Sequence, residues 1–194
     1  DLRTPLTLLR LRTEEVENPE EREKMLATIG EMDSMITSTL AFARGEMLSE
    51  LRRRTDLSAL VASIVDDMAD AGVNVRMAPA PPLPVGCQPG AIKRVVSNLI
   101  QNAVKYGERA DVSIVRGPDF TEVAVEDVGP GIPADMMEKV FQPFYRIEDS
   151  RSRETGGVGL GLAISQSIAQ AHGGQIVLRN KEGGGLRAAL RLPA

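Results

Sequence analysis

The sequence predicts an α+β protein: an N-terminal helical hairpin, then helices packed on one face of a mixed sheet. Three observations predict it. Residues 1–44 carry helical periodicity and no alternating run. From Asp56 onward, short alternating runs come in pairs joined by glycine-containing turns, as antiparallel hairpins do. Amphipathic helical segments are inserted between those strand runs.

The elements follow in order. In the first arm Leu2, Leu6, Leu9 and Val16 fall at helical spacing, with one gap at Thr13. The run "ENPEER" interrupts the pattern; Pro19 suits the first turn of a new helix, and acidic residues follow it. Met25, Ile29, Met32, Ile36, Leu40 and Ala43 form the second stripe. Two helices with one apolar face each cannot enclose a core, so a second copy is expected to complete a four-helix bundle through residues 1–44. Residues 45–55, with Gly45 and the basic run "LRRRT", read as a linker.

Residues 56–194 form the mixed part. "LSALVASIVDDM" is an amphipathic helix, "VNVRM" alternates like a strand, and "APAPPLP" is a stiff loop. "GAIKRVVSNLIQNAVKYG" is helical. "DVSIVR" and "TEVAVED" make a hairpin turning at Gly117-Pro118. "LGLAISQSIAQAH" is a helix, and "GQIVLRN" and "LRAALRL" pair around the turn "KEGGG".

Composition excludes several classes of function. A net charge of −4 gives no overall basic field, and aromatics at 3% without Trp give no base-stacking platform, so no nucleic-acid partner is expected. A single cysteine, Cys87, excludes an internal disulfide and a Cys-rich zinc site, and reads as a small packed residue. No apolar run approaches the ~18–20 residues of a membrane span, so a membrane is expected only through segments upstream of this sequence.

Four stretches carry chemistry. Gly157, Gly159 and Gly161 lead into a helix, whose free N–H groups and positive pole suit a phosphate. The same glycines would also serve a plain flexible turn. They are no Walker A loop, since no Lys-Ser/Thr follows. In "NLIQNAVKYG", Asn98 and Asn102 share one helical face, with Lys105 and Tyr106 a turn later. The opposite face, Val95, Val96, Leu99, Ile100 and Ala103, is apolar. An amide oxygen is a hard ligand suited to Mg²⁺ and a lysine suits phosphate, although two amides can equally face solvent. In "VEDVGPGIP" a strand ends at Asp127, which either starts a turn or accepts from an exocyclic amine such as that of adenine. "VFQPFYRI" gathers aromatics in a chain nearly devoid of them, and its plainest use is a satellite core.

Together and in this order, these stretches resemble the sensor histidine kinases of two-component systems. Their ATP-binding domain is of the gyrase/chaperone/histidine-kinase/mismatch-repair (GHKL, or Bergerat) type, an α/β sandwich. "NLIQNAVKYG" is similar to the N box, "DVGPGIP" to the G1 box, "FQPFYR" to the F box and "GGVGLGL" to the G2 box. "DLRTPLTLLR" resembles the motif that directly follows the phosphoacceptor histidine. The resemblance covers nearly the whole chain. It implies a dimerisation and phosphotransfer hairpin at 1–44, a linker at 45–55 and a catalytic ATP-binding domain at 56–194.

The resemblance further implies that Asp127 bonds the adenine amine, with Gly129 and Gly131 shaping that wall. Asn102 would coordinate Mg²⁺, Asn98 and Lys105 would contact phosphates, and Tyr106 would lie by the nucleotide. Phe144 and Arg146 would govern the lid and the terminal phosphate. Gly157, Val158, Gly159, Leu160 and Gly161 would line the triphosphate, and "EDSRSRET" would be the mobile lid. Partners implied are a second copy and a response-regulator receiver domain. The location implied is cytoplasmic, as part of an inner-membrane sensor.

Further expectations follow. Hydrolytic members of the superfamily place a glutamate base at the position of Asn98; an amide cannot take a proton at neutral pH, so water is expected to be a poor nucleophile here. In the family a histidine immediately precedes the Asp-Leu-Arg-Thr-Pro run, so the acceptor would lie one residue before Asp1. Asp1 would then orient that histidine and take its proton, and Thr4 would position water for dephosphorylating the regulator, a possible phosphatase activity. The sequence as written is expected to bind nucleotide without labelling itself. His172, before Gly173-Gly174, reads as a helix C-cap residue with a structural role. A degenerate nucleotide-binding module that only dimerises or binds a regulator is the alternative.

Overall fold

The structure is a computed structural model and describes residues 3–14, 16, 18–26, 28–30, 32, 50–147 and 159–194. The chain divides into two compact units, Asp1–Glu46 with Ser150–Val158 and Met47–Asp149 with Gly159–Ala194.

In the first unit, α1 spans Arg3–Thr13, and α2 is helical over 19–26 and 28–30. The turn between them is capped locally. Asn18 Oδ1 accepts from the N–H groups of Glu20 (3.0 Å) and Glu21 (3.3 Å), and Pro19 takes the position where no N–H is needed. The gap in the first apolar stripe is also explained: Thr13 is buried, and its hydroxyl donates to Arg10 O at 2.6 Å, closing the last turn of α1. Leu6 and Ile29 are buried, whereas Leu8, Leu9, Leu11, Met25, Leu26 and Met32 stay exposed in the single chain. The expected stripe residues Ile36, Leu40 and Ala43 lie outside the described residues.

The second unit is a two-layer sandwich. Its five-stranded sheet runs in the order β2-β4-β5-β7-β6, built from Val75–Met77, Ala110–Arg116, Phe120–Glu126, Leu186–Pro193 and Gln175–Asn180. Only β2 and β4 pair in parallel; the other neighbours are antiparallel. Helices α3 (Leu57–Asp70), α4 (Pro89–Gly107) and α5 (Gly161–Ala171) supply the other layer. Leu57, Ile64, Ile92, Leu99, Ile100, Ile164, Ile168, Leu190 and Leu192 are fully buried and form the core. The apolar side of α4 read from the sequence is this buried side, which turns Asn98 and Asn102 away from the core.

The sequence reading needs correction at the linker. Arg53–Asp56 is a strand, β1, antiparallel to β3 (Pro84–Cys87) in a separate two-stranded sheet. At its end Asp56 caps α3: Oδ1 accepts from the N–H groups of Leu83 and Ser58, both at 3.0 Å, and of Ala59 at 3.3 Å. The Leu83 N–H foremost holds this carboxyl below the usual carboxylate range. Cys87 is fully buried, and burial pushes its thiol up, as expected of a packed residue.

The sheet face away from the helices is ionic. Glu122 on β5 is buried between Arg187 (2.6 Å) and Arg191 (2.7 Å) of β7, and Arg191 stacks on Phe120 at 4.4 Å. Burial raises the Glu122 pKa, but the two guanidinium partners together outweigh it and hold the carboxyl below its ordinary range.

Candidate nucleotide site

Of the sequence-predicted residues in the second unit, Asn98, Asn102, Lys105 and Tyr106 lie on α4, Asp127, Gly129 and Gly131 follow β5, and Phe144, Arg146, Gly159, Leu160 and Gly161 lie before and at the start of α5. Asp127 follows the last residue of β5 and is buried. Its Oδ1 accepts from Gly129 N at 2.8 Å and Leu186 N at 2.9 Å. No other partner meets the carboxylate among the described residues, and no buried side-chain polar atom there lacks one, so Oδ2 is left open to a ligand. This is a carboxylate locked in orientation with one acceptor still to spend.

Glycines allow that lock. A Cβ on Gly107, the last residue of α4, would stand 2.5 Å from Asp127 Cβ. One on Gly129 would stand 2.3 Å from Tyr106 O, and one on Gly185 would stand 2.2 Å from Asp127 O. Gly185 also has φ +98 and donates to Gly129 O at 2.7 Å. Lys181 donates to Asp127 O at 3.2 Å and pairs with Glu126 at 3.0 Å. Gly131, at φ +75, lies against Asn180 Oδ1. Gly107, Asn180, Lys181 and Gly185 were not singled out from the sequence. The one signal for them was the third glycine of "KEGGG", more than a simple hairpin turn requires.

On α4, Asn98 and Asn102 are partly buried on the open side. Asn98 Nδ2 donates to Gly161 O at 3.3 Å and to the buried Ser165 hydroxyl at 3.5 Å, tying α4 to the first turn of α5. Asn102 has no hydrogen bond among the described residues. One turn on, the Lys105 ammonium lies 5.1 Å from the ring centre of the exposed Tyr106.

At the far side α5 starts from Leu160 with no side-chain cap, so among the described residues no N-cap side chain closes its first N–H groups. Gly159 precedes it at φ +73; a Cβ there would press on Phe144 and Tyr145 backbone at 2.8 Å. Phe144 N donates back to Gly159 O at 3.0 Å, with Phe144 itself at φ +66 and 60% exposed. An aromatic residue held left-handed and exposed is a strained junction between the predicted F and G2 segments. Arg146 is exposed two residues on. Asp1, Gly157 and Val158 lie outside the described residues, and Thr4 falls in the first turn of α1, in the first unit.

His172 lies at the other end of α5, buried. Nδ1 meets Ile168 O at 2.8 Å, and Nε2 accepts from Gln88 N at 3.1 Å. Accepting at Nε2 requires the proton on Nδ1, so both ring nitrogens are engaged in joining α5 to the start of α4.

A five-stranded mixed sheet covered by three helices, with a buried, oriented carboxylate just after β5, is the frame on which the comparisons bear. Residues 87–194 match the histidine kinase-, DNA gyrase B- and HSP90-like ATPase family, and the chain belongs to it. All of the chain aligns with sensor histidine kinase GtrS of Pseudomonas aeruginosa at 40% identity, covering 40% of that protein. It likewise aligns with sensor histidine kinase CpxA of Escherichia coli at 32%, covering 45%. The chain thus spans less than half the length of these curated relatives. The solved ATP binding domain of PrrB from Mycobacterium tuberculosis is 31% identical, with a TM-score of 0.61 over 74% of this chain and 97% of that one. The second unit is therefore a histidine kinase-type, nucleotide-binding domain of the GHKL fold. Among the described residues no helix is long and apolar enough to cross a membrane.

Proposed function

We propose that the chain is the catalytic region of a two-component sensor histidine kinase. It binds Mg-ATP, transfers the γ-phosphoryl group to a histidine preceding Asp1, and then passes it to a receiver-domain aspartate, with a phosphatase activity toward that receiver. The observation that carries the reading is the oriented carboxylate of Asp127 with its open oxygen, a lone acceptor suited to an exocyclic amine.

The remaining assignments follow the resemblance of the motifs. Gly129 and Gly131 form the base wall, and Tyr106 flanks it. Asn98 and Lys105 meet phosphates, as do Gly157, Val158, Gly159, Leu160, Gly161 and the open α5 terminus. Phe144 and Arg146 connect the lid to the terminal phosphate. Among the described residues no three His, Cys, Asp or Glu side chains gather, and Asn102 offers one unengaged amide. That donor set fits Mg²⁺, which is commonly held by few protein oxygens together with substrate phosphates. When bound, Mg²⁺ supplies charge neutralisation on those phosphates.

The chemistry then turns on the nucleophile. Asn98, already donating to Gly161 O and Ser165, is no base for water. An imidazole is substantially neutral at pH 7, its pKa being ~6.5. Its nitrogen attacks phosphorus as the bond to the bridging oxygen of ADP breaks, and Asp1 accepts the proton of the ring. Thr4 positions water that hydrolyses the receiver's phosphoryl-aspartate to aspartate and inorganic phosphate. The exposed residues Leu8, Leu9, Met25 and Met32 give residues 1–44 the apolar surface for a homodimeric four-helix bundle. The location proposed is the cytoplasmic side of an inner membrane.

The test incubates γ-labelled ATP with three proteins: this chain, a version extended by a histidine before Asp1, and that version carrying His172→Ala. Acid-labile label should appear on both extended proteins and not on the unextended chain. Label on the unextended chain, or its loss with His172→Ala alone, would overturn the assignment of the acceptor. Nucleotide binding without label on any protein would favour a degenerate module.

A further inference from the structure

We infer that Asn180 is a positioning residue for purine discrimination: it holds the loop that aims Asp127. The inference rests on the proposed adenine site and deepens it.

Asn180 is the last residue of β6, in register with Leu186, the residue whose N–H holds Asp127 Oδ1. Its side chain leaves the sheet for the loop after Asp127. Nδ2 donates to Ile132 O at 2.7 Å, and Oδ1 accepts from Ile132 N at 2.9 Å. The amide thus makes the paired bonds a neighbouring strand would make, to a loop that has no strand beside it. Gly131 is matched to it, since a Cβ there would stand 2.5 Å from Asn180 Oδ1.

The consequence runs through Gly129. The loop is fastened at Gly129 by Gly185 N and at Ile132 by Asn180, with only Pro130-Gly131 between. Gly129 N is one of the two donors that fix the Asp127 carboxylate. Release of the Ile132 end lets Gly129 move and the carboxylate turn, so Oδ2 no longer meets a 6-amino group selectively. A site that reads a base by one hydrogen bond discriminates only while that bond's geometry is held. Asn180 need not touch the base to do this.

The experiment measures ADP and GDP affinity by calorimetry, with thermal unfolding in parallel, for wild type, Asn180→Ala, Asn180→Ser and Asp127→Asn. Wild type should prefer ADP. Asn180→Ala should bind ADP about tenfold more weakly with little change for GDP, so the preference collapses. Asn180→Ser, keeping one hydrogen bond to the loop, should fall between. A purely structural role would lower the unfolding temperature and leave the ADP:GDP ratio as it was. That unchanged ratio, in Asn180→Ala or, should that variant not fold, in Asn180→Ser, overturns the inference while a collapsed ratio in Asp127→Asn keeps the site intact. Wild type binding neither nucleotide, or an Asp127→Asn variant that prefers ADP as before, overturns the adenine site itself.

Discussion

Helix α5 ends in two different ways. At its C-terminus every carbonyl in question has a partner: Gly174 N donates to Ala169 O at 2.8 Å and Gly173 N to Gln170 O at 2.9 Å. His172 covers Ile168 O, and the Arg52 guanidinium covers Ala171 O. At its N-terminus Leu160 offers no side-chain cap, and among the described residues Asn98 bonds a carbonyl and a hydroxyl there rather than an N–H group. A helix end closed by the protein is scaffold, whereas one without a side-chain cap suits the phosphates of the proposed nucleotide. The contrast also explains the single histidine, which belongs wholly to the closed end.

Substitutions should therefore separate the two ends. His172→Ala removes two buried hydrogen bonds, one of them to the start of α4; it should cost about 2 kcal/mol in denaturant unfolding while ADP affinity stays within about twofold. A large loss of affinity at unchanged stability would erase the distinction.

Glu122→Gln serves as a control on the ionic sheet face, opposite the helical layer. Arg187 and Arg191 keep 26% and 31% of their side chains exposed, so the loss should be about 2 kcal/mol at pH 7, below that of a fully buried pair. Because the folded-state pKa of Glu122 is depressed, its contribution is present above the unfolded carboxylate range, ~4.3, and fades as pH falls through the lower folded value. The difference between wild type and Glu122→Gln in urea titrations should accordingly shrink on acidification. A constant difference down to strong acid would show that packing, not charge, is lost.

Gly161→Ala should have the smallest effect on stability and the opposite signature. A Cβ there meets Asn98 Cγ at 3.8 Å, an ordinary contact, so unfolding should move by no more than about 0.5 kcal/mol. A methyl group at the open end should nonetheless weaken ATP several-fold if phosphate packs against that turn. Equal ATP affinity would place the phosphates elsewhere.

The features legible in the sequence are the local ones. The hairpin turning at Gly117, the amphipathic α4 with Asn98 and Asn102 on one side, and the glycine pair after His172 follow from spacing alone. The pairing of β1 with β3 was hidden because Arg53 and Arg54 carry no alternation and Pro84 and Gly86 are poor strand formers. The Gln88 partner of His172 lies 84 residues away, beyond any local pattern. Asn180 and Gly107 were missed for a related reason: each matters through backbone brought beside it by the sheet, and no motif surrounds them. The orientation of Asp127 needed both Gly129 and Leu186, which the β5–β7 pairing alone brings together.

Asp127→Asn tests the nucleotide site most directly. Gly129 N and Leu186 N both demand an oxygen at Oδ1, so an asparagine would turn its amide nitrogen to the open side, a donor facing the adenine amine. Calorimetry should show ADP binding about a hundredfold weaker, while an inosine nucleotide, with a carbonyl at that ring position, loses far less. ADP affinity equal to wild type would contradict the central claim that this carboxylate reads the base.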